Sequence, residues 1–214
     1  EDMVSFAGAL VLNIGTLTPY WVDSMLKAGK KANEKHVPII LDPVGSGATS
    51  LRTASARRLI DELDISVIRG NASEVLSLAR EGSQTKGVDS VHSVDQARNV
   101  AVILAQELNT VIAITGKVDL VTDGKTVYRI YNGHEMMGMV TGTGCTATVI
   151  VAAFLSVDDN PLEAAATGLA YFGLAGELAA EQAKTPGSYQ IALLDALYTI
   201  KSDRLKKSAR ILAE

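Results

Sequence analysis

The chain is poor in cysteine, in positive charge and in long apolar runs. Cys145 is its single cysteine, so no intramolecular disulfide can form and a reducing, cytoplasmic setting fits best. Lys and Arg number 20 against 24 Asp and Glu, a formal charge of -4. That balance provides no basic footprint for nucleic acid. Apolar runs such as Thr148 to Leu155 fall well short of the ~20 residues that span a bilayer, so no membrane helix is expected. No basic stretch leads into an apolar one at Glu1-Asp2-Met3, so no signal peptide shows there; further residues are expected ahead of Glu1. Internal repeats and low-complexity linkers are missing too.

What the chain does have is 47% hydrophobic and 21% charged residues in 214 positions, enough for one well-filled domain. Apolar, β-branched runs alternate with segments of helical period, the mark of βα units and a largely parallel sheet. Ala9 to Ile14, Pro38 to Asp42, Ile65 to Arg69 and Val111 to Thr115 read as strands buried on both faces. Helices are expected from Thr18 or Asp23 to Lys35, over Thr53 to Leu63, Ala72 to Arg80 and Val94 to Leu108. Leu120 to Asp123 and Thr126 to Tyr131 flank Gly124-Lys125 as an antiparallel hairpin. Cys145 to Ser156, Pro161 to Ala183 and Tyr189 to Lys201 read as helices, and the charges of Lys201 to Arg210 as a solvated helix face.

Four motifs carry chemistry. In Thr141-Gly142-Thr143-Gly144-Cys145-Thr146 a glycine turn runs into an apolar helix, whose first amides and dipole suit a phosphoryl group. The alternative is an ordinary helix start in which Thr143 caps the free amides. Arg69-Gly70-Asn71-Ala72-Ser73-Glu74 lies where a strand gives way to a helix. Arg69 can neutralise phosphate there, while Asn71 and Glu74 either hold Mg²⁺ through water or form a capping box. Asp42-Pro43-Val44-Gly45 ends a strand in a carboxylate that can orient a hydroxyl, join a magnesium shell or cap its loop. Thr115-Gly116-Lys117 offers a hydroxyl and amides to nucleotide phosphates, or is a plain strand exit. The strand ends at Asp42, Arg69 and Thr115 would share the carboxyl edge of one parallel sheet, where ligands collect, and the Gly142 to Cys145 turn can face them. The three histidines show no metal-ligand spacing: His36 sits beside a strand start, His92 in a polar loop, and His134 in a loop near the proposed site.

Taken in order, Asp42-Pro43-Val44-Gly45, Asn71-Ala72-Ser73-Glu74, Thr115-Gly116 and Gly142-Thr143-Gly144-Cys145 resemble the hydroxyethylthiazole kinase family of the ribokinase-like superfamily. Asn13-Ile14-Gly15-Thr16-Leu17 and Asn132-Gly133-His134 do so as well. The resemblance implies a three-layer α/β/α fold with a mostly parallel central sheet and a late hairpin. It implies ATP-dependent phosphorylation of the primary alcohol of 4-methyl-5-(2-hydroxyethyl)thiazole, with Mg²⁺, in thiamine salvage. It carries over Arg69, Thr115, Gly116 and Asn71 as ATP-binding, Gly142 and Cys145 as substrate-binding, and Asp42 and Glu74 as metal-associated through water. Thr143, Gly144 and Cys145 become catalytic as anion hole and base. It also implies a homotrimer with sites at subunit interfaces, and a further N-terminal strand-helix unit that contributes to the thiazole pocket. Many superfamily members place Asp where this chain has Cys145. A thiol is a modest base, made more available at a helix N-terminus, so Cys145 is expected to assist without being indispensable; its alternative is a small buried hydrophobe. Competing readings are a kinase for a pyrimidine or pyridoxal-type alcohol, a repair dehydratase for hydrated NAD(P)H, and a non-catalytic nucleotide-binding module.

Overall fold

Ile39–Asp42, Val67–Asn71 and Val111–Thr115, apolar on both faces, need cover on both sides, and the architecture supplies it; Leu10–Asn13, expected to be buried likewise, is only partly so because it is an edge strand of the sheet. The computed structural model describes residues 1–79 and 94–214. Its elements in chain order are α1 (Asp2–Ser5), β1 (Leu10–Asn13), α2 (Pro19–Glu34), β2 (Ile39–Asp42), α3 (Ser50–Glu62), β3 (Val67–Asn71), α4 (Ala72–Leu76), α5 (Val94–Leu108) and β4 (Val111–Thr115). There follow β5 (Asp119–Thr122), β6 (Val127–Ile130), a 3₁₀ turn (Glu135–Met139), α6 (Thr143–Leu155), α7 (Pro161–Gln182), α8 (Pro186–Thr199), α9 (Ser202–Ser208) and β7 (Ile211–Ala213).

The strands form one seven-stranded sheet laid out in sequence order. Neighbours from β1 to β4 are parallel, and β4 to β7 are antiparallel. Right-handed crossovers that always step in the same direction put their helices on one face. Accordingly α2, α3 and α5 pack over Ile39, Leu41, Ile68, Ile112 and Ile114. The opposite face, with Ile40, Val67, Val111, Ala113 and Val121, is left to α6, α7 and α8. Each fully buried Ile or Leu in these strands contributes roughly 1.5–3 kcal/mol relative to exposure. α7 is rich in Ala and Gly, including Ala164, Ala165, Ala166, Gly168, Gly173 and Gly176, every one buried. Small side chains let that helix sit close to the sheet, α6 and α8 at once.

The expected sheet, crossover helices and hairpin are all present, with shifted ends. α3 begins at Ser50 instead of Thr53 because Thr49 Oγ1 accepts the Arg52 N–H at 3.3 Å and starts the helix early. α6 begins at Thr143, two residues ahead of Cys145, because Gly142 takes φ 92° and turns the chain directly into the helix. α8 likewise starts earlier, with Pro186 in its first turn. α4 stops at Leu76; Arg80 and His92 lie outside the described residues. β7 was not foreseen: it adds Ile211–Ala213 beside β6, after a short charged α9 that is solvated as expected.

Candidate active site

Side chains alternate along a strand, and register then decides what meets. Val11, Ile40, Val67 and Ala113 belong to the α6–α8 side of the core. Two residues further along each strand, Asn13, Asp42, Arg69 and Thr115 therefore face the same side at the carboxyl edge. Asn13 pairs with Asp42 and Asn71 with Thr115, while Leu41 beside Ile68 puts Asp42 next to Arg69.

The contacts follow from that placement. Asp42, 1% exposed, accepts at Oδ2 from Asn13 Nδ2 at 3.0 Å and from Thr148 Oγ1 at 2.8 Å. Arg69 Nη1 lies 3.9 Å from the same oxygen. Burial pushes the Asp42 carboxyl above the usual carboxylate range, opposed by the Arg69 charge and the Thr148 and Asn13 hydrogen bonds. Asp42 thus caps no loop; it is the acceptor of a side-chain network. Arg69, 7% exposed, donates from Nη2 to Thr115 Oγ1. Among the described residues its buried Nε meets no acceptor, a donor left for something else.

Asn13 links this network to the thiol. Its Oδ1 accepts the Gly15 N–H at 2.8 Å, which orients the amide so that Nδ2 donates to Asp42 and, at 3.4 Å, to Cys145 Sγ. Cys145 is exposed, so it does not fill a core position. Among the described residues no side chain caps the α6 N-terminus. Thr143 does not occupy those amides: its Oγ1 donates backwards to the carbonyls of Met137 at 2.9 Å and Val140 at 3.1 Å. A Cβ on Gly144 would lie 3.1 Å from Arg69 Nη1, so the guanidinium sits directly against the first turn. An open helix N-terminus, a buried cation and an exposed thiol converge, a combination that suits a transferring phosphoryl group.

The other expected residues are placed differently. Asn71 and Glu74 form the capping box: Asn71 Oδ1 accepts from Glu74 N–H at 2.9 Å, and Glu74 Oε2 from Asn71 N–H at 2.8 Å. Glu74 Oε1 also accepts the Gly45 N–H at 2.8 Å, so its carboxylate ties two loops at the edge together. The Gly116 amide is spent on Asp119 Oδ1 at 2.9 Å. His134 accepts from Met136 N–H at 3.2 Å and caps the 3₁₀ turn, a loop role. Sequence reading did not assign Asn13, Thr148 or Asp119. Thr148, one turn beyond Gly144 and the one polar residue of the stretch 147–155, is the visible signal for one of them. A cavity of about 510 Å³ lies at the opposite edge, among His36, Asp64, Ser66, Ser156 and Asp158, and holds none of these residues.

Comparison with known proteins gives the family and the fold. Residues 1–203 match the model of the "HK: Hydroxyethylthiazole kinase family". The chain belongs to the hydroxyethylthiazole kinase family. It is 59% identical to the hydroxyethylthiazole kinase of Desulfotalea psychrophila over 99% of its own length and 77% of that relative. Against the solved hydroxyethylthiazole kinase protein of Pyrococcus horikoshii it has a TM-score of 0.90 at 40% identity, covering 100% of this chain and 80% of the other. The pyridoxal kinase of Staphylococcus aureus, at 20% identity and TM-score 0.54 over 78% of this chain and 62% of that one, shares the ribokinase-like fold. As a thiazole kinase, the chain phosphorylates the thiazole alcohol in thiamine biosynthesis. Among the described residues no helix is long and apolar enough to cross a membrane.

Proposed function

We propose that ATP phosphorylates the primary alcohol of 4-methyl-5-(2-hydroxyethyl)thiazole at this carboxyl edge, with the uncapped N-terminus of α6 as anion hole. The observation that carries the assignment is that open helix end, with exposed Cys145 in its first turn and buried Arg69 against Gly144. The alcohol oxygen attacks the γ-phosphorus as the bond to ADP breaks, and the hydroxyl proton passes to the Cys145 sulfur. The amides of Thr143, Gly144 and Cys145 receive the phosphoryl oxygens, Gly142 lies against the thiazole, and Arg69 and Thr115 hold the phosphate chain. Asn71 shapes the ATP site as the cap of α4, and Gly116 lines the turn beside Thr115.

The donors present suit Mg²⁺. Asp42 and Glu74 supply only carboxylate oxygens, and no group of three or more His, Cys, Asp or Glu forms a cage among the described residues. That matches a cation which keeps most of its waters and rests on nucleotide phosphates. Both Glu74 oxygens already accept one backbone amide each, and its contact with the ion runs through water. Bound Mg²⁺ would neutralise phosphate charge. Assembly as a homotrimer with sites at subunit interfaces is supported by Tyr20, Trp21 and Leu51. These exposed apolar residues lie in the first turns of α2 and α3, at the carboxyl edge. Sedimentation should give three times the chain mass, and a monomer that turns over at full rate would remove the assembly from the reading.

The deciding experiment is ADP release with ATP, Mg²⁺ and hydroxyethylthiazole, set against pyrimidine and pyridoxal-type alcohols and a blank without acceptor. Turnover that depends on the thiazole supports the assignment; equal turnover with another alcohol overturns it. For Cys145, the loose transition state of phosphoryl transfer asks little of a base until late. Cys145→Ala should therefore lower kcat by roughly 10–10²-fold, at or below the usual range for a general base, while Cys145→Asp keeps or raises it. A Cys145→Ala enzyme as fast as wild type would leave the sulfur without a chemical role.

A further inference from the structure

Asp119 is a carboxylate in the site that no role above absorbs. It opens β5, and because Ile114 pairs with Leu120, Asp119 stands opposite Thr115 across the β4–β5 turn. Val121 faces the α6–α8 side, so Asp119, two residues before it, shares that face with Arg69 and Thr115. Its Oδ1 accepts the Gly116 N–H at 2.9 Å, and the Arg69 charge acts on it. Arg69 therefore lies under the influence of two carboxylates, Asp42 and Asp119, while bonding Thr115 and leaving Nε without an acceptor.

Resting on the nucleotide reading of Arg69, Thr115 and Gly116, we propose that Asp119 is a positioning residue of the nucleotide site: it fixes the Thr115–Gly116 turn through the Gly116 amide and shares the Arg69 guanidinium with the nucleotide's phosphate chain. A hairpin clamp alone would need only an acceptor. Asp119 is half-buried at the sheet edge, and desolvation pushes its carboxyl up to about 7 against the opposing Gly116 hydrogen bond and Arg69 charge. The groups around it are few. β3 supplies the Arg69 charge that acts on it, the turn supplies the Gly116 amide, and β6 opposes it with apolar Ile130. Phosphate drawing on Arg69 leaves Asp119 less compensated, so its carboxyl binds a proton more tightly in the complex than in the free enzyme.

The sign follows. Nucleotide binding should take up protons near neutral pH, and affinity should fall as pH rises through about 7. The test is calorimetric titration of the full chain with ADP and Mg²⁺ at pH 7.5, in buffers of different ionisation enthalpy. The proton uptake of wild type should exceed that of Asp119→Asn by roughly half a proton. Asp119→Asn keeps an acceptor for Gly116, so its KM for ATP should stay within about threefold of wild type at pH 6.5. Asp119→Leu removes acceptor and charge, and should raise KM for ATP about tenfold with little change in KM for the thiazole. Folding is followed by thermal unfolding of each variant, and Asp119→Asn should melt higher than wild type at pH 8. Thr115→Val and Arg69→Lys complete the set. If they weaken nucleotide binding while the Asp119 variants match wild type in KM and proton uptake, the proposal falls and the nucleotide site stands. If Thr115→Val and Arg69→Lys also bind ADP as wild type does, both fall.

Discussion

Arg69→Met is expected to lower kcat/KM for ATP by about 10³-fold, because the variant removes the cation set against the first turn of α6. Loss of a preorganised charge at a transferring phosphoryl group costs on that order. The same change should also weaken the fold. The Arg69 and Asp42 side chains are 9% and 2% exposed, so methionine leaves a buried carboxylate without its countercharge. Breaking one partner of a buried pair costs about 3–5 kcal/mol, roughly 10 °C in Tm for a chain of this size. The sign of the pH effect is fixed by the direction at Asp42. Its carboxyl is raised in the folded state, and losing Arg69 raises it further. Stability is therefore retained below the unfolded carboxylate pKa and lost as pH rises through the folded value, so the Arg69→Met deficit should grow from pH 5 to pH 8. Adding Asp42→Asn to Arg69→Met should recover much of the melting temperature and none of the rate. Activity within tenfold of wild type in the single variant would remove Arg69 from the chemistry.

Much of this arrangement was legible before any coordinates. Continuous apolar runs such as Val111 to Thr115 have one reading in an α/β chain, a strand covered on both faces, and β4 occupies those same residues. Short-range signals were also sound: Thr18 caps α2, and Gly124-Lys125 turns the hairpin between β5 and β6. What escaped depends on register. Nothing local to Asn13 says that it meets Asp42; that follows from β1 lying in register with β2. Asp119 reads as an ordinary residue before an apolar strand until β5 is laid against β4, when it comes opposite Thr115 and within 2.9 Å of the Gly116 N–H. The capping box and a water-mediated metal site ask for the same residues at the same spacing, and only the hydrogen bonds of Glu74 to the Asn71 and Gly45 amides show how the carboxylate is used. β7 is too short, at three residues, to raise a periodic signal, and it forms because β6 offers it an edge.

Gly173→Ala should be the most damaging change outside the site, and the reason is backbone against backbone. A Cβ at Gly173 would stand 2.6 Å from both the carbonyl carbon and oxygen of Asn132, too close for any rotamer change to relieve. Asn132 cannot retreat. Its Nδ2 donates to the Ser208 carbonyl at 3.0 Å, its Oδ1 accepts the Arg210 N–H at 2.7 Å, and the next amide, Gly133, donates to Glu177 Oε1 at 2.8 Å. Overpacking against so fixed a neighbour should cost about 3 kcal/mol, or roughly 6–12 °C in Tm. The segment that must move leads through His134 and the 3₁₀ turn to Gly142. Since Thr143 is anchored by the carbonyls of Met137 and Val140, displacement there tilts the first turn of α6. A shift of about 1 Å in such a turn can cost 10²-fold in rate, so kcat should fall in the fraction that remains folded. Gly187→Ala is the control: it lies in the first turn of α8 with nothing within 4 Å of the added Cβ, and should change Tm little or raise it slightly. Equal melting temperatures for the two alanine variants would mean that α7 can slide away from Asn132, and that the glycine turn is not held from behind by this helix.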